Sequence, residues 1–202
     1  MVNIEFQEPR SFEGNDATSK AAMFQPLPVR FTVGGADLLG YAYDETDEEE
    51  ELEHARSSDF RWYPLSILHF ARWGIHALRR ALRDGRYVYE LGRYGNSGNA
   101  LLFKLDGSNM LIYSTMSDKH VSVPYIELEE AWKQFARQVR EFVLLMCPAL
   151  AADPGWGEWL TGSGEEGKKA EDGSLGTEAN TELFPYWHNW FEEYGANFST
   201  EQ

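Results

Sequence analysis

Ala100-Leu101-Leu102-Phe103-Lys104-Leu105-Asp106-Gly107-Ser108-Asn109-Met110-Leu111-Ile112-Tyr113-Ser114-Thr115 decides the fold of this chain. Two apolar runs flank Asp106-Gly107-Ser108-Asn109, a cluster of turn residues that reverses a chain between antiparallel strands. Upstream, Tyr87-Val88-Tyr89-Glu90-Leu91 reads as a strand, joined to the hairpin by the loop Gly92-Arg93-Tyr94-Gly95-Asn96-Ser97-Gly98-Asn99. Downstream, Val121-Ser122-Val123 reads as a short edge strand ended by Pro124, whose missing N–H suits an edge.

Two helices bracket these strands. Pro64 fits the first position of a helix, where its lack of an N–H is harmless. From there Leu65, Leu68, Ala71, Ile75, Leu78 and Leu82 recur at three- and four-residue steps and predict one buried stripe, with Gly85 as its stop. Arg72, His76, Arg79, Arg80 and Arg83 fall mainly off the stripe and form a basic flank. In the second helix Leu128, Trp132, Phe135, Val139, Phe142 and Met146 step by four and three, and Pro148 ends it.

Further out the pattern changes. Val2, Ile4 and Phe6 alternate with polar residues as in a short strand. Val29–Val33 and Leu38–Tyr43 read as a hairpin around Gly34-Gly35-Ala36-Asp37. The expected fold class is therefore α+β, a mostly antiparallel sheet packed by two long helices, with a short C-terminal aromatic helix. Residues 1–150 form the α+β domain. Residues 151–181, dominated by Gly, Glu, Ser, Lys and Asp, read as a flexible linker or long loop. Residues 182–202 read as a helical segment, because Phe184, Trp187, Trp190, Phe191 and Tyr194 are spaced for one face.

Composition narrows the function. With 43% hydrophobic residues the chain has material for a real core, and 202 residues suit one domain with an appendage. A formal net charge of −15 repels nucleic acid and anionic membranes and attracts basic proteins from a distance. Cys147 is the only cysteine, so no internal disulfide or cysteine-based zinc site is expected, and its place in an apolar helix fits a buried thiol. The N-terminus lacks a secretory pattern and no apolar run is long enough to span a bilayer, so a cytoplasmic setting is expected.

Catalytic motifs are hard to find. His69 and His76 stand seven apart, not at the three- or four-residue spacing of zinc ligands on a helix. Gly95-Asn96-Ser97-Gly98 lacks the Gly-x-Ser-x-Gly spacing, and its glycines lack that of a phosphate cradle. No catalytic residue, metal ligand or cofactor is expected. The strongest local signal is the run Asp44, Glu45, Asp47, Glu48, Glu49, Glu50, Glu51 and Glu53, set inside the domain and not at a terminus. It reads either as a solvated loop or as a surface shaped for a basic partner. An intramolecular variant pairs it with the basic flank of the first helix. Arg93 and Tyr94 at the tip of their loop, and Trp187 and Trp190 near the C-terminus, are further candidates for partner contact.

Two stretches carry a family resemblance: Arg79-Arg80-Ala81-Leu82-Arg83-Asp84-Gly85-Arg86-Tyr87-Val88-Tyr89-Glu90 and Val121-Ser122-Val123-Pro124-Tyr125-Ile126-Glu127-Leu128-Glu129-Glu130-Ala131-Trp132. Over residues 28–150 the chain resembles, at class level, the immunity proteins of bacterial polymorphic-toxin and secretion systems. The resemblance implies a small cytoplasmic protein, not an enzyme, that binds a cognate toxin domain and occludes its active site. On this reading the acidic run meets a basic active-site cleft, with no nucleic-acid or membrane partner. The alternative is an enzyme or small-ligand binder whose site is dispersed along the chain and forms no motif.

Overall fold

A computed structural model describes residues 1–8, 26–40, 63–91 and 99–162. The chain divides into two units, Met1–Val139 and Arg140–Gln202. In order the elements are β1 (Val2–Phe6), β2 (Leu27–Val33), β3 (Ala36–Asp37), β4 (Tyr63–Leu65), α1 (Ile67–Asp84) and β5 (Arg86–Glu90). Then come β6 (Ala100–Asp106), β7 (Asn109–Ser114), β8 (Lys119–Pro124), α2 (Tyr125–Met146), a 3-10 turn (Pro148–Ala152) and α3 (Gly157–Thr161). The class is α+β with antiparallel sheets and two long helices, as expected, but the described strands form two sheets and not one.

The first unit holds both sheets. In the first, β2 is central, with β1 along one side and β3 and β4 at opposite ends of the other. Leu27, Val29, Phe31 and Val33 are buried in strict alternation, the mark of a sheet with one covered face. Gly34 and Gly35, at φ +59° and +90°, make the two-residue turn into β3, a conformation that side chains other than glycine's resist. The return strand is Ala36–Asp37, inside the expected turn, while Tyr41, Ala42 and Tyr43 of the expected strand lie outside the described residues. Leu38 and Leu39 leave the ladder yet stay buried.

The second sheet is a meander, β5-β6-β7-β8, with Leu101 opposite Ser114 and Phe103 opposite Ile112. Ala100–Phe103 and Met110–Ser114 are buried without a break, so both faces of this central pair are covered. The helix α1 packs against β5 and β6.

The start of α1 differs from expectation. Pro64 lies in β4 opposite Pro28, not in the helix, which begins at Ile67 behind Ser66. A proline fits either place, because both an edge strand and a first helical turn tolerate the missing N–H. Leu82 is 45% exposed, whereas Ile67, Phe70, Gly74, Ala77 and Ala81 are buried. The buried face is wider than a single stripe and turned away from Leu82.

The reason is the second helix. Trp132 of α2 is fully buried, with its ring 5.0 Å from Phe70, 5.3 Å from Phe31 and 6.3 Å from Phe103. One side chain thus joins α1 and both sheets. Its Nε1–H donates to the Phe70 carbonyl at 3.1 Å, giving the indole a polar partner inside the core. Gly74 leaves the space the ring occupies.

In the second unit, Asp153 accepts hydrogen bonds from Gly155 and Trp156 N–H in the turn that precedes α3. Thus part of the 151–181 stretch is helical. The Arg140 guanidinium lies 4.6 Å from the Trp159 ring centre, and Cys147 is buried. Residues 182–202, expected to be helical, lie outside the described residues.

Candidate functional site

The meander has one end where β5 stops, β6 starts, β7 stops and β8 starts. Here side chains supplement the main-chain bonds. The Thr115 Oγ1 accepts from the Ala100 N–H at 2.8 Å, while the Thr115 N–H donates to the Ala100 carbonyl at 3.1 Å. Leu91 N–H donates to the Asn99 carbonyl at 2.9 Å and closes the neck of residues 92–98. Tyr113 donates its hydroxyl to Asp118 Oδ1 at 2.7 Å. That bond steadies Asp118 at φ 51°, a conformation aspartate tolerates better than most residues. Lys119 and His120 follow, both exposed.

Ser114 ties this end to the first sheet. Its buried hydroxyl donates to the Leu38 carbonyl and accepts from the N–H groups of Met116 and Ser117. Removing it in Ser114→Ala strands a buried carbonyl. The expected cost is about 1–3 kcal/mol, read as a shift in the urea midpoint with an unchanged slope.

Two residues on, the chain leaves the described frame. Asp37 Oδ1 accepts from Leu39 and Gly40 N–H at 3.1 and 3.2 Å, and its Oδ2 accepts from Arg30 Nε at 3.2 Å. The carboxylate therefore fixes where residues 41–62 begin. They end at Tyr63, whose hydroxyl accepts from Asn99 Nδ2 at 3.2 Å. Leu38 at Ser114 and Tyr63 at Asn99 thus lie on one rim of the meander.

Asp44, Glu45, Asp47, Glu48, Glu49, Glu50, Glu51 and Glu53, like Arg93 and Tyr94, lie outside the described residues. Trp187 and Trp190 also lie outside them. Tyr63, Asn99, Thr115 and Ser114, which build the rim, carry no local sequence signal. Their partners stand 15 to 76 residues away.

The basic flank of α1 is partly neutralised within itself. Asp84 takes Arg83 through Nε and Nη2 at 2.7 and 3.0 Å, and lies 3.7 Å from Arg80 Nε. His76, half-buried with its ring edge-on to Trp73, is pushed below the ordinary histidine range by burial and then by Arg83 and Arg79. The folded state thus prefers the neutral ring. As pH falls below the ordinary histidine value, the unfolded chain takes up the proton first and stability drops. His76→Gln should flatten that acid-side loss, measured by urea unfolding between about pH 7.5 and pH 5.

Among the described residues, no three His, Cys, Asp or Glu side chains gather to hold a metal ion. No described helix is long and apolar enough to cross a membrane. Comparison with family models, curated proteins and solved structures gave no match.

Proposed function

We propose that the chain is an immunity protein, a cytoplasmic bacterial inhibitor that binds a cognate toxin domain and occludes its active site without being an enzyme. The observation that carries this reading is the placement of charge. The described frame holds 13 acidic and 11 basic residues and is nearly neutral, while the rest of the chain holds 20 acidic and 7 basic. Nine of those acids, against two arginines, fall in residues 41–62, between β3 and β4. A general need for solubility does not require such concentration. A segment with such dense carboxylates is suited to a cleft lined with Lys and Arg, such as one that handles an anionic substrate.

The test is co-expression with the toxin domain encoded beside this gene. Rescue of growth, together with a 1:1 complex of the purified proteins that blocks the toxin's reaction, is the expected result. A toxin that stays active and unbound in its presence sinks the proposal.

A further inference from the structure

We infer that two copies of this chain pair edge to edge through β5, antiparallel about a two-fold axis at Val88. The inference goes beyond the toxin-binding reading and does not depend on it. β5 (Arg86–Glu90) ends the meander and pairs with β6 alone among the described strands. At the two ends of that ladder, Leu91 N–H donates to the Asn99 carbonyl and Leu105 N–H to the Gly85 carbonyl. Hydrogen-bonded residues alternate in an antiparallel ladder, so Tyr87 and Tyr89 bond β6. The main-chain groups of Arg86, Val88 and Glu90 then point away from it. A strand laid along this edge exchanges both bonds with Val88 at its centre.

The side chains choose the occupant. With the axis at Val88, Arg86 lies opposite Glu90 of the second copy, Glu90 lies opposite its Arg86, and Val88 meets Val88. Opposite charges directly across a ladder attract. Each can take this partner in addition to any within its own chain, because a guanidinium and a carboxylate both have several bonding positions. Moving the axis to Arg86 or to Glu90 sets like charges opposite, so one register is favoured. The other described edges lack this match. β4 and β8 carry Pro64 and Pro124, and β8 also Lys119, residues that guard an edge. In β1 the one charged residue is Glu5, which meets no cation of a second β1. β5 has neither proline nor lysine. Val88 is already only 3% exposed, so pairing adds little apolar burial. Main-chain bonds and ion pairs carry the contact, which makes it reversible and concentration-dependent.

Sedimentation of the full-length chain should show a monomer of 23.1 kDa passing into a dimer as concentration rises. Arg86→Glu sets two carboxylates opposite each other at both ends of the paired edge, and Glu90→Arg sets two guanidiniums there. Either should weaken the dimer by about tenfold or more. Glu90→Gln, a milder change of the same size, should weaken it by about threefold. Combining Arg86→Glu with Glu90→Arg in one chain restores the match and should restore the dimer. A mixture of the two single variants should pair better than either alone, since each then meets the opposite charge, and this rescue requires both to be folded. A wild-type chain that stays monomeric overturns the inference, and if Arg86→Glu then weakens binding of the cognate toxin domain, the edge belongs to that partner instead. A dimer that none of these changes alters also overturns it.

Discussion

Gly74→Ala is expected to cost about 3 kcal/mol or more, enough to leave much of a marginally stable domain unfolded at 37 °C. On helix propensity alone the change should gain about 1 kcal/mol, since glycine is the poorer helix former. Packing reverses the sign. A Cβ on Gly74 would sit 1.9–2.0 Å from Cε2, Cζ2 and Nε1 of Trp132, far inside contact distance. The indole has nowhere to move, with Phe31, Phe70 and Phe103 around it and its N–H held by the Phe70 carbonyl. Main-chain displacement of α1 against α2 is the remaining outlet, and overpacked cores resist it. The control is Trp132→Phe, which removes the indole N–H and shrinks the ring. Alone it should destabilise by about 1–3 kcal/mol, from a lost hydrogen bond and a small cavity. In that background Gly74→Ala should cost little or become favourable. Urea unfolding of the four proteins closes the cycle. Equal costs of Gly74→Ala in both backgrounds would show that the glycine serves something other than the ring.

The same glycine shows where the sequence could be read further. A glycine in the middle of an amphipathic helix is a penalty the chain accepts for a reason, commonly the close approach of another element. The three- and four-residue spacing located α1 and α2 well, because periodicity registers burial on one side. It did not give the width of the buried face. Leu82 belongs to the expected stripe, yet the contacts of α1 with β5, β6 and Trp132 turn the buried side toward Ala77 and Ala81. The Asp106–Asn109 hairpin was legible because its turn residues are adjacent in sequence. Pro64 was not, because its meaning depends on Pro28, 36 residues away, lying opposite in the ladder.

The candidate site was legible in the opposite sense. Its charged and aromatic members stand out by composition, whereas the residues that gather their segments do not. Ser114 reaches Leu38 across 76 residues, and Asn99 reaches Tyr63 across 36. Serine, tyrosine and asparagine at such separations form no motif. Their roles arise from the packing of the two sheets, which brings Leu38 and Tyr63 to the same end of the meander.

Neutralising the acidic run decides whether this gathering serves recognition. Replacing Asp44, Glu45, Asp47, Glu48, Glu49, Glu50, Glu51 and Glu53 by Asn or Gln removes eight negative charges and takes the formal net charge from −15 to −7. Side-chain size is kept, so shape changes little. Against the cognate toxin domain, the association rate at low ionic strength should fall by about 10- to 100-fold, as expected when electrostatic steering is lost. The difference should shrink as salt rises, because the Debye length falls from about 10 Å at 0.1 M to about 3 Å at 1 M. Dissociation should change less, since rim charges speed encounter while desolvated aromatic anchors hold the complex. Trp187→Ala or Trp190→Ala, if those rings are anchors, should act in the opposite way, raising the dissociation rate with little effect on the salt slope. Folding stability of the neutralised variant should stay level or rise, because closely spaced like charges repel. The two explanations of the run then separate by kinetics alone. A solvated loop predicts the same association rate and salt slope before and after neutralisation, and that outcome would remove the run from the binding surface.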